Sequence, residues 1–206
     1  MKDNTVLTPH FKLREFTKSA TAKKHGIDNR PTPEVVENLR RLCTHTLEPL
    51  REKLGLPIVI TSGYRTKELN DIIVHASRKS QHMEGRAADF YVVQGSKLFA
   101  KFNLFIGAHG LRHKVQGSKF KVQSSKFKVQ GDEDSKLNVQ GSRELLIRAF
   151  RLIIDDEDID FDQLIIYPTF IHVSYVSKEK NRHQLTRASS NGAYTALSRA
   201  DALSLA

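Results

Sequence analysis

Ser80-Gln81-His82-Met83-Glu84-Gly85-Arg86-Ala87-Ala88-Asp89 is the stretch on which the reading of this chain turns. It sets an imidazole and a carboxylate seven residues apart, with the small residues Gly85, Ala87 and Ala88 between them. Neutral His offers a nitrogen ligand and Asp an oxygen ligand to a borderline metal such as zinc, and small residues let the backbone close around an ion. Two ligands do not make a site. The best third is His172, which interrupts the apolar, β-prone run Phe170-Ile171-His172-Val173-Ser174-Tyr175. Three protein ligands leave a fourth position for water, the arrangement of a catalytic zinc rather than a structural one.

The elements around the motif read as a mixed α and β chain. Thr32 and Pro33 form a helix start, and Val35, Val36, Leu39, Leu42, Leu47, Leu50 and Leu54 recur at helical spacing up to Gly55, predicting one long core helix. Pro57-Ile58-Val59-Ile60-Thr61-Ser62 reads as a buried strand that stops at Gly63 and presents Arg65 just beyond its end. A short helix over Glu68–Val74 leads to a loop with His75 and Ser77. After the motif, Phe90–Val93 reads as a strand with Asp89 at its entrance. Arg143–Ile154 is an amphipathic helix closed by the acidic turn Asp155–Asp158. Phe161–Tyr167 and Phe170–Tyr175 read as a hairpin about Pro168-Thr169. Its tight form pairs Tyr167 with Phe170 and Ile165 with His172, puts Gln163 on the face of His172 and turns Asp162 to the other. His10 reads as a surface residue and Cys43 as a core thiol.

Ser80-x-His82-x-x-Gly85-x-Ala87-x-Asp89, with the later His172-x-Ser174, resembles the zinc D-alanyl-D-alanine carboxypeptidase family. That family also contains phage peptidoglycan endopeptidases and is related in fold to the signalling domain of Hedgehog. Thr61-Ser62-Gly63-Tyr64-Arg65-Thr66-Lys67-Glu68-Leu69-Asn70 is similar to the family's Ser-Gly-Tyr-Arg segment, and the likeness runs from about Phe11 to about Tyr175. The resemblance implies an α+β fold in which a small antiparallel sheet carries a zinc site flanked by helices. It implies zinc-dependent hydrolysis of peptide bonds in peptidoglycan, as a carboxypeptidase or an endopeptidase at D-alanine-containing stem peptides. Zn²⁺ is then held by His82, Asp89 and His172. Arg65 and Ser80 stand on the substrate side, Arg65 to bind a carboxylate or the oxyanion and Ser80 to brace the ligand loop.

The match has a gap. Many relatives place a Glu or Asp general base a few residues before the last His ligand, but the third and sixth residues before His172 are Thr169 and Ile166. Asp160, Asp162, Tyr167 and His75 are the remaining candidates, so the base is unassigned. The alternative function is a catalytically inactive zinc protein that binds cell-wall peptide.

Residues 94–139 look foreign to the fold. Lys114-Val115-Gln116-Gly117-Ser118-Lys119-Phe120 is followed by Lys121-Val122-Gln123-Ser124-Ser125-Lys126-Phe127 and Lys128-Val129-Gln130-Gly131, a seven-residue repeat. Partial copies at Val93-Gln94-Gly95-Ser96-Lys97 and Val139-Gln140-Gly141-Ser142-Arg143 stand 46 residues apart, as an insertion of repetitive DNA leaves them. The segment reads as a low-complexity surface insertion within a single domain over residues 1–188. Without it, the 83 residues between Asp89 and His172 fall to 37. Residues 189–206 read as a flexible tail.

Composition is that of an ordinary globular chain: 206 residues, 39% hydrophobic and 27% charged. The net charge of +10 would suit a polyanion, but residues 94–139 hold nine Lys or Arg against three Asp or Glu, which leaves only +4 elsewhere. No specific nucleic-acid partner is therefore expected. No apolar run approaches the roughly 20 residues of a membrane span, so no membrane insertion is expected. The opening residues lack a signal-peptide core. The expectation is a monomer, cytoplasmic as synthesised, that meets the stem peptide at the cell wall after release.

Overall fold

The computed structural model describes residues 4–74, 76–94 and 134–205. Two short strands, β1 (Val6–Thr8) and β2 (Phe11–Lys12), form an antiparallel ribbon. It leads into α1 (Leu13–Thr17) and α2 (Ala20–His25), the latter capped by the Ser19 hydroxyl. Next come α3 (Pro33–Leu42), a π-helical turn at Cys43–Leu47, and α4 (Glu48–Leu54).

The long helix expected over this region is therefore real but carries a bulge, and Pro49 accounts for it. Proline has no N–H to give to the carbonyl of residue 45. That carbonyl instead accepts the Asp160 N–H at 3.0 Å. The helix ends at Gly55, whose left-handed φ of 64° suits glycine.

The rest of the chain builds one six-stranded sheet in the order β3-β4-β6-β5-β7-β8. Its strands are β3 (Ile58–Ser62), β4 (Ala87–Val92), β5 (Gln163–Ile166), β6 (Ile171–Ser174), β7 (Gln184–Ala188) and β8 (Tyr194–Ala196). α5 (Lys67–Ile72) lies between β3 and β4, α6 (Asp134–Asp155) between β4 and β5, and α7 (Arg199–Ser204) at the end. The α+β class holds, with one correction. The candidate ligands Asp89 and His172 are carried by this larger sheet, which is mixed because β5 and β7 run parallel. A separate small antiparallel sheet is present only as the β1–β2 ribbon.

Alternation along the strands decides what faces where. Ala88, Phe90 and Val92 of β4, Leu164 and Ile166 of β5, and Ile171 and Val173 of β6 enter the core. α6 lays Leu146, Ala149, Phe150, Ile153 and Ile154 against them, at the i, i+3, i+4, i+7, i+8 spacing of one helix face. Asp89, Gln163, Ile165 and His172 are left on the opposite face. The expected hairpin register is observed: Ile165 pairs with His172, and the Tyr167 N–H donates to the Phe170 carbonyl at 2.9 Å.

Three boundaries differ from expectation. β4 begins at Ala87, so Asp89 sits inside the strand, where two ladders fix it, rather than at its entrance. The helix expected from Arg143 begins at Asp134, so it takes in the last residues of the segment read as an insertion. Most of that segment, residues 95–133, lies outside the described residues, as does His75. Finally, the segment expected as a flexible tail, residues 189–206, forms regular structure at Tyr194–Ala196 and Arg199–Ser204. β8 pairs with β7, which would otherwise leave an open edge, and the Ser198 hydroxyl caps α7 through the Asp201 N–H. Ala202 is fully buried, and Leu197, Leu203 and Leu205 pack against the core. Three leucines spaced through an Ala/Ser-rich segment gave it enough apolar surface to dock.

Candidate metal centre

Three stretches bring the candidate ligands to one face of the sheet. Asp89 on β4 and His172 on β6 are directly paired in register. His82 comes from a 3₁₀ turn, Gln81–Glu84, that precedes β4 and ends at Gly85 with a left-handed φ of 68°. A Cβ on Gly85 would lie 2.7 Å from the Val35 carbonyl oxygen, so the residue is demanded by close packing on α3 as well as by its backbone angle.

The donor atoms converge. His82 Nε2 lies 3.2 Å from His172 Nδ1 and 3.3 Å from Asp89 Oδ1, and the last two are 2.8 Å apart. Ligands about 2.0–2.1 Å from a tetrahedral zinc are separated by about 3.3 Å, so this triangle needs only a small expansion to hold the ion. His82 is 3% exposed, and its other ring nitrogen, Nδ1, sits 2.6 Å from the Gly63 carbonyl oxygen. Donation to that carbonyl fixes the tautomer and leaves the Nε2 lone pair facing the cluster. Burial lowers the His82 pKa, which keeps the ring neutral, the form that ligates. Burial also works against ionisation of Asp89, but the neighbouring His82 and His172 imidazoles outweigh it. They hold the carboxyl far below the usual carboxylate range. Two imidazoles with one carboxylate are a donor set that suits zinc.

Gly63 is the hinge of this support. A Cβ there would come within 2.5 Å of the Phe16 Cα and carbonyl oxygen. The Phe16 carbonyl accepts the Tyr64 N–H at 2.7 Å, so α1 clamps the chain just where the Gly63 carbonyl must meet His82. Arg65, two residues on, enters the same site. Its Nη2 lies 3.3 Å from Asp89 Oδ2, and the Ser62 hydroxyl accepts from its Nε at 3.1 Å and its Nη2 at 3.0 Å. Burial lowers the Arg65 pKa, partly offset by Asp89.

Ser80 stands at the head of the 3₁₀ turn. Its hydroxyl makes no cap hydrogen bond, while its carbonyl accepts the Met83 N–H at 3.0 Å. All five residues singled out by sequence, Arg65, Ser80, His82, Asp89 and His172, line one cleft of about 690 Å³.

The base candidates divide. Asp160 does not line the cleft and pairs with His183 at 2.8 Å. Asp162 is 1% exposed and fully engaged: the Arg182 N–H and Nε donate to it at 2.9 and 2.8 Å, and the Gln81 amide at 2.8 Å. It ties the turn bearing His82 to the start of β5, a brace that the sequence reading missed. Tyr167 does enter the cleft, stacked on Phe170 with ring centroids 4.2 Å apart. Its hydroxyl meets that of Tyr194 at 3.0 Å. Nothing in the local sequence marked Tyr194. Ser174 is buried, and its hydroxyl accepts the Gln163 N–H at 3.1 Å, so it serves the sheet. His10, Glu48 and Glu52 form a second group of ligand-type side chains. There the His10 ring is already hydrogen-bonded to the Glu48 carboxylate, which pins the β1–β2 ribbon to α4.

Two histidines and an aspartate, with an arginine beside them in one cleft, form a cluster that could hold a metal ion. The family model for peptidase M15 matches residues 9–114, just over half of the chain, and the chain belongs to that family. M15 peptidases are in general zinc-dependent and act on peptidoglycan. The match takes in Arg65, Ser80, His82 and Asp89, runs into the segment read as an insertion, and stops short of His172. No curated protein and no solved structure matches the chain. Among the described residues, no helix is long and apolar enough to cross a membrane.

Proposed function

We propose that this protein hydrolyses a peptide bond at D-alanine in peptidoglycan stem peptides, as a carboxypeptidase or endopeptidase, with Zn²⁺ held by His82, Asp89 and His172. The observation that carries the reading is the convergence of three ligand-type atoms at 2.8–3.3 Å from separate elements. Zinc bound there would lower the pKa of its water toward ~7 and polarise the scissile carbonyl. Arg65 receives a substrate carboxylate or the developing oxyanion, because its guanidinium is buried against the ligands and oriented by Ser62. Ser80 lines the cleft and shapes the turn that holds His82. The repeat segment 94–139 takes no part in this chemistry, and the protein works as a monomer that reaches the wall after release.

One observation favours the alternative of a zinc protein that binds stem peptide without cutting it. Among the described residues that line the cleft, Asp89 is the sole carboxylate, and it serves as a ligand. The deciding experiment is mass spectrometry of purified peptidoglycan after incubation with zinc-loaded protein, beside a His172→Ala control. New fragments or free D-alanine, absent from the control, are expected. A folded, zinc-containing protein that yields no product from varied stem peptides would favour the binder instead.

A further inference from the structure

We propose that Tyr167 is a catalytic hydrogen-bond donor to the substrate oxygen that becomes negative as the scissile carbonyl turns tetrahedral, and that Tyr194 is the residue that positions it. The inference rests on the peptidase reading above for its substrate. Tyr167 follows β5 two positions after Ile165, which is paired with His172, so it continues the face that carries the metal ligands. Its side chain lines the same cleft as Arg65, Asp89 and His172.

The ring has little freedom. Phe170 stacks on it at an interplanar angle of 11°, and Tyr194 meets it edge-on at 89° with centroids 6.2 Å apart. The hydroxyl contact to Tyr194 at 3.0 Å removes the remaining rotational choice. Tyr194 is held by β8, where it pairs with Ala188, and is 61% exposed, so water can satisfy it from outside. When Tyr194 donates to the Tyr167 oxygen, the Tyr167 proton is free for a substrate atom.

A tyrosine in this place cannot stand in for the missing base. Burial and the Tyr194 contact raise its pKa, so at neutral pH it is a phenol. A protonated phenol gives a hydrogen bond to developing negative charge without moving its proton, and such donors act most strongly in a water-poor cleft. Arg65 then needs to serve only one of its two possible roles, and the substrate carboxylate becomes its partner.

The test is calorimetric binding of two probes to zinc-loaded full-length protein. One is the phosphinate analogue of a D-alanyl-D-alanine bond, which carries the tetrahedral anion. The other is the D-alanyl-D-alanine dipeptide itself. Tyr167→Phe, which keeps both ring contacts, is expected to weaken the phosphinate about ten- to a hundredfold and the dipeptide by less than about twofold. Tyr194→Phe should weaken the phosphinate in the same sense by a smaller factor. Zinc content and melting temperature of each variant are measured alongside, to separate loss of the donor from loss of the fold. Equal weakening of both probes would assign Tyr167 to packing and overturn the proposal. So would an unchanged phosphinate affinity, or a wild type that does not bind the phosphinate. A wild type that binds it through Tyr167 but cuts no peptidoglycan would sink the peptidase reading and leave the donor role standing.

Discussion

Replacing Asp162 by asparagine tests whether the turn that bears His82 is held from behind. The change keeps the volume but removes the charge and offers an amide NH₂ to groups that are already donors. Arg182 contributes its backbone N–H and its guanidinium, and Gln81 its amide. Burial raises the Asp162 pKa, but hydrogen bonds from Arg182 and Gln81 outweigh it and bring it down to about 2. An unfolded aspartate titrates near ~3.9, and a gap of that size corresponds to about 2–3 kcal/mol. The Arg182 side chain is 57% exposed, so solvent screening reduces the figure to about 1–2 kcal/mol. For a chain of this length that lowers the melting temperature by about 2–8 °C. The sign with pH follows from the lowered pKa. The contribution is complete above ~3.9 and disappears as the pH falls through about 2. Urea unfolding of wild type and Asp162→Asn should therefore differ by a constant amount from pH 8 to pH 5 and converge toward pH 2.5. Loosening the turn should also weaken Zn²⁺ binding about tenfold, as loss of an outer partner commonly does. A variant as stable as wild type at pH 7, or a stability gap unchanged at pH 2.5, would refute the brace.

Other consequences are as direct. Asp89→Asn takes the only anionic donor from the triangle, so zinc content after dialysis should fall from near one ion per chain to near none; full retention would remove Asp89 from the ligand set. Gly63→Ala forces a methyl to 2.5 Å from Phe16 backbone atoms, and either α1 or the Gly63 carbonyl must move. Chemical denaturation should show a loss of about 3 kcal/mol or more, with weakened zinc binding, and a neutral substitution would mean that the clamp is soft. Ending the chain at residue 188 removes β8 and α7, uncovers the β7 edge and strips Leu197, Leu203 and Leu205 from the core. A loss of about 3–6 kcal/mol is expected in urea melts, with self-association by light scattering, whereas a disposable tail would show neither.

Much of the site was legible because its residue types are unusual where they stand. A histidine inside Phe170–Tyr175 and an aspartate before Phe90 break apolar alternation, and alternation also gave the register that pairs Ile165 with His172. Other features carried no local signal. The Gln81–Asp162 brace joins residues 81 positions apart through ordinary polar side chains, and either could have faced water. Tyr194 follows a glycine turn in an Ala/Ser-rich segment, where the strand exists because β7 offers an edge. Pro49 was a local sign of the π-turn, but the Asp160 N–H that satisfies the freed His45 carbonyl is a tertiary contact that a helical wheel cannot hold. The parallel pairing of β5 and β7 likewise depends on the path between them and not on either strand's composition.

The cleft is assembled by register across the chain, and this bears on how it survives beside a repetitive segment. Its described lining comes from Arg65 to Asp89 and from Gln163 to Tyr194. β4 carries Asp89 in its middle and then continues to Val92, where it pairs with Ile58 at the far end of β3. The chain has thus left the neighbourhood of Asp89 before it reaches residue 95. When it returns through α6 it is on the opposite side of the sheet, with Phe150 and Ile153 in the core. Length added between these points changes loop-closure entropy only slowly and leaves the His172–Asp89 pairing to the strands themselves. What the cleft does depend on is the C-terminal pair β7 and β8. Gln184, Thr186 and Tyr194 form its far wall, so the last strand to join the sheet is also the one that completes the site.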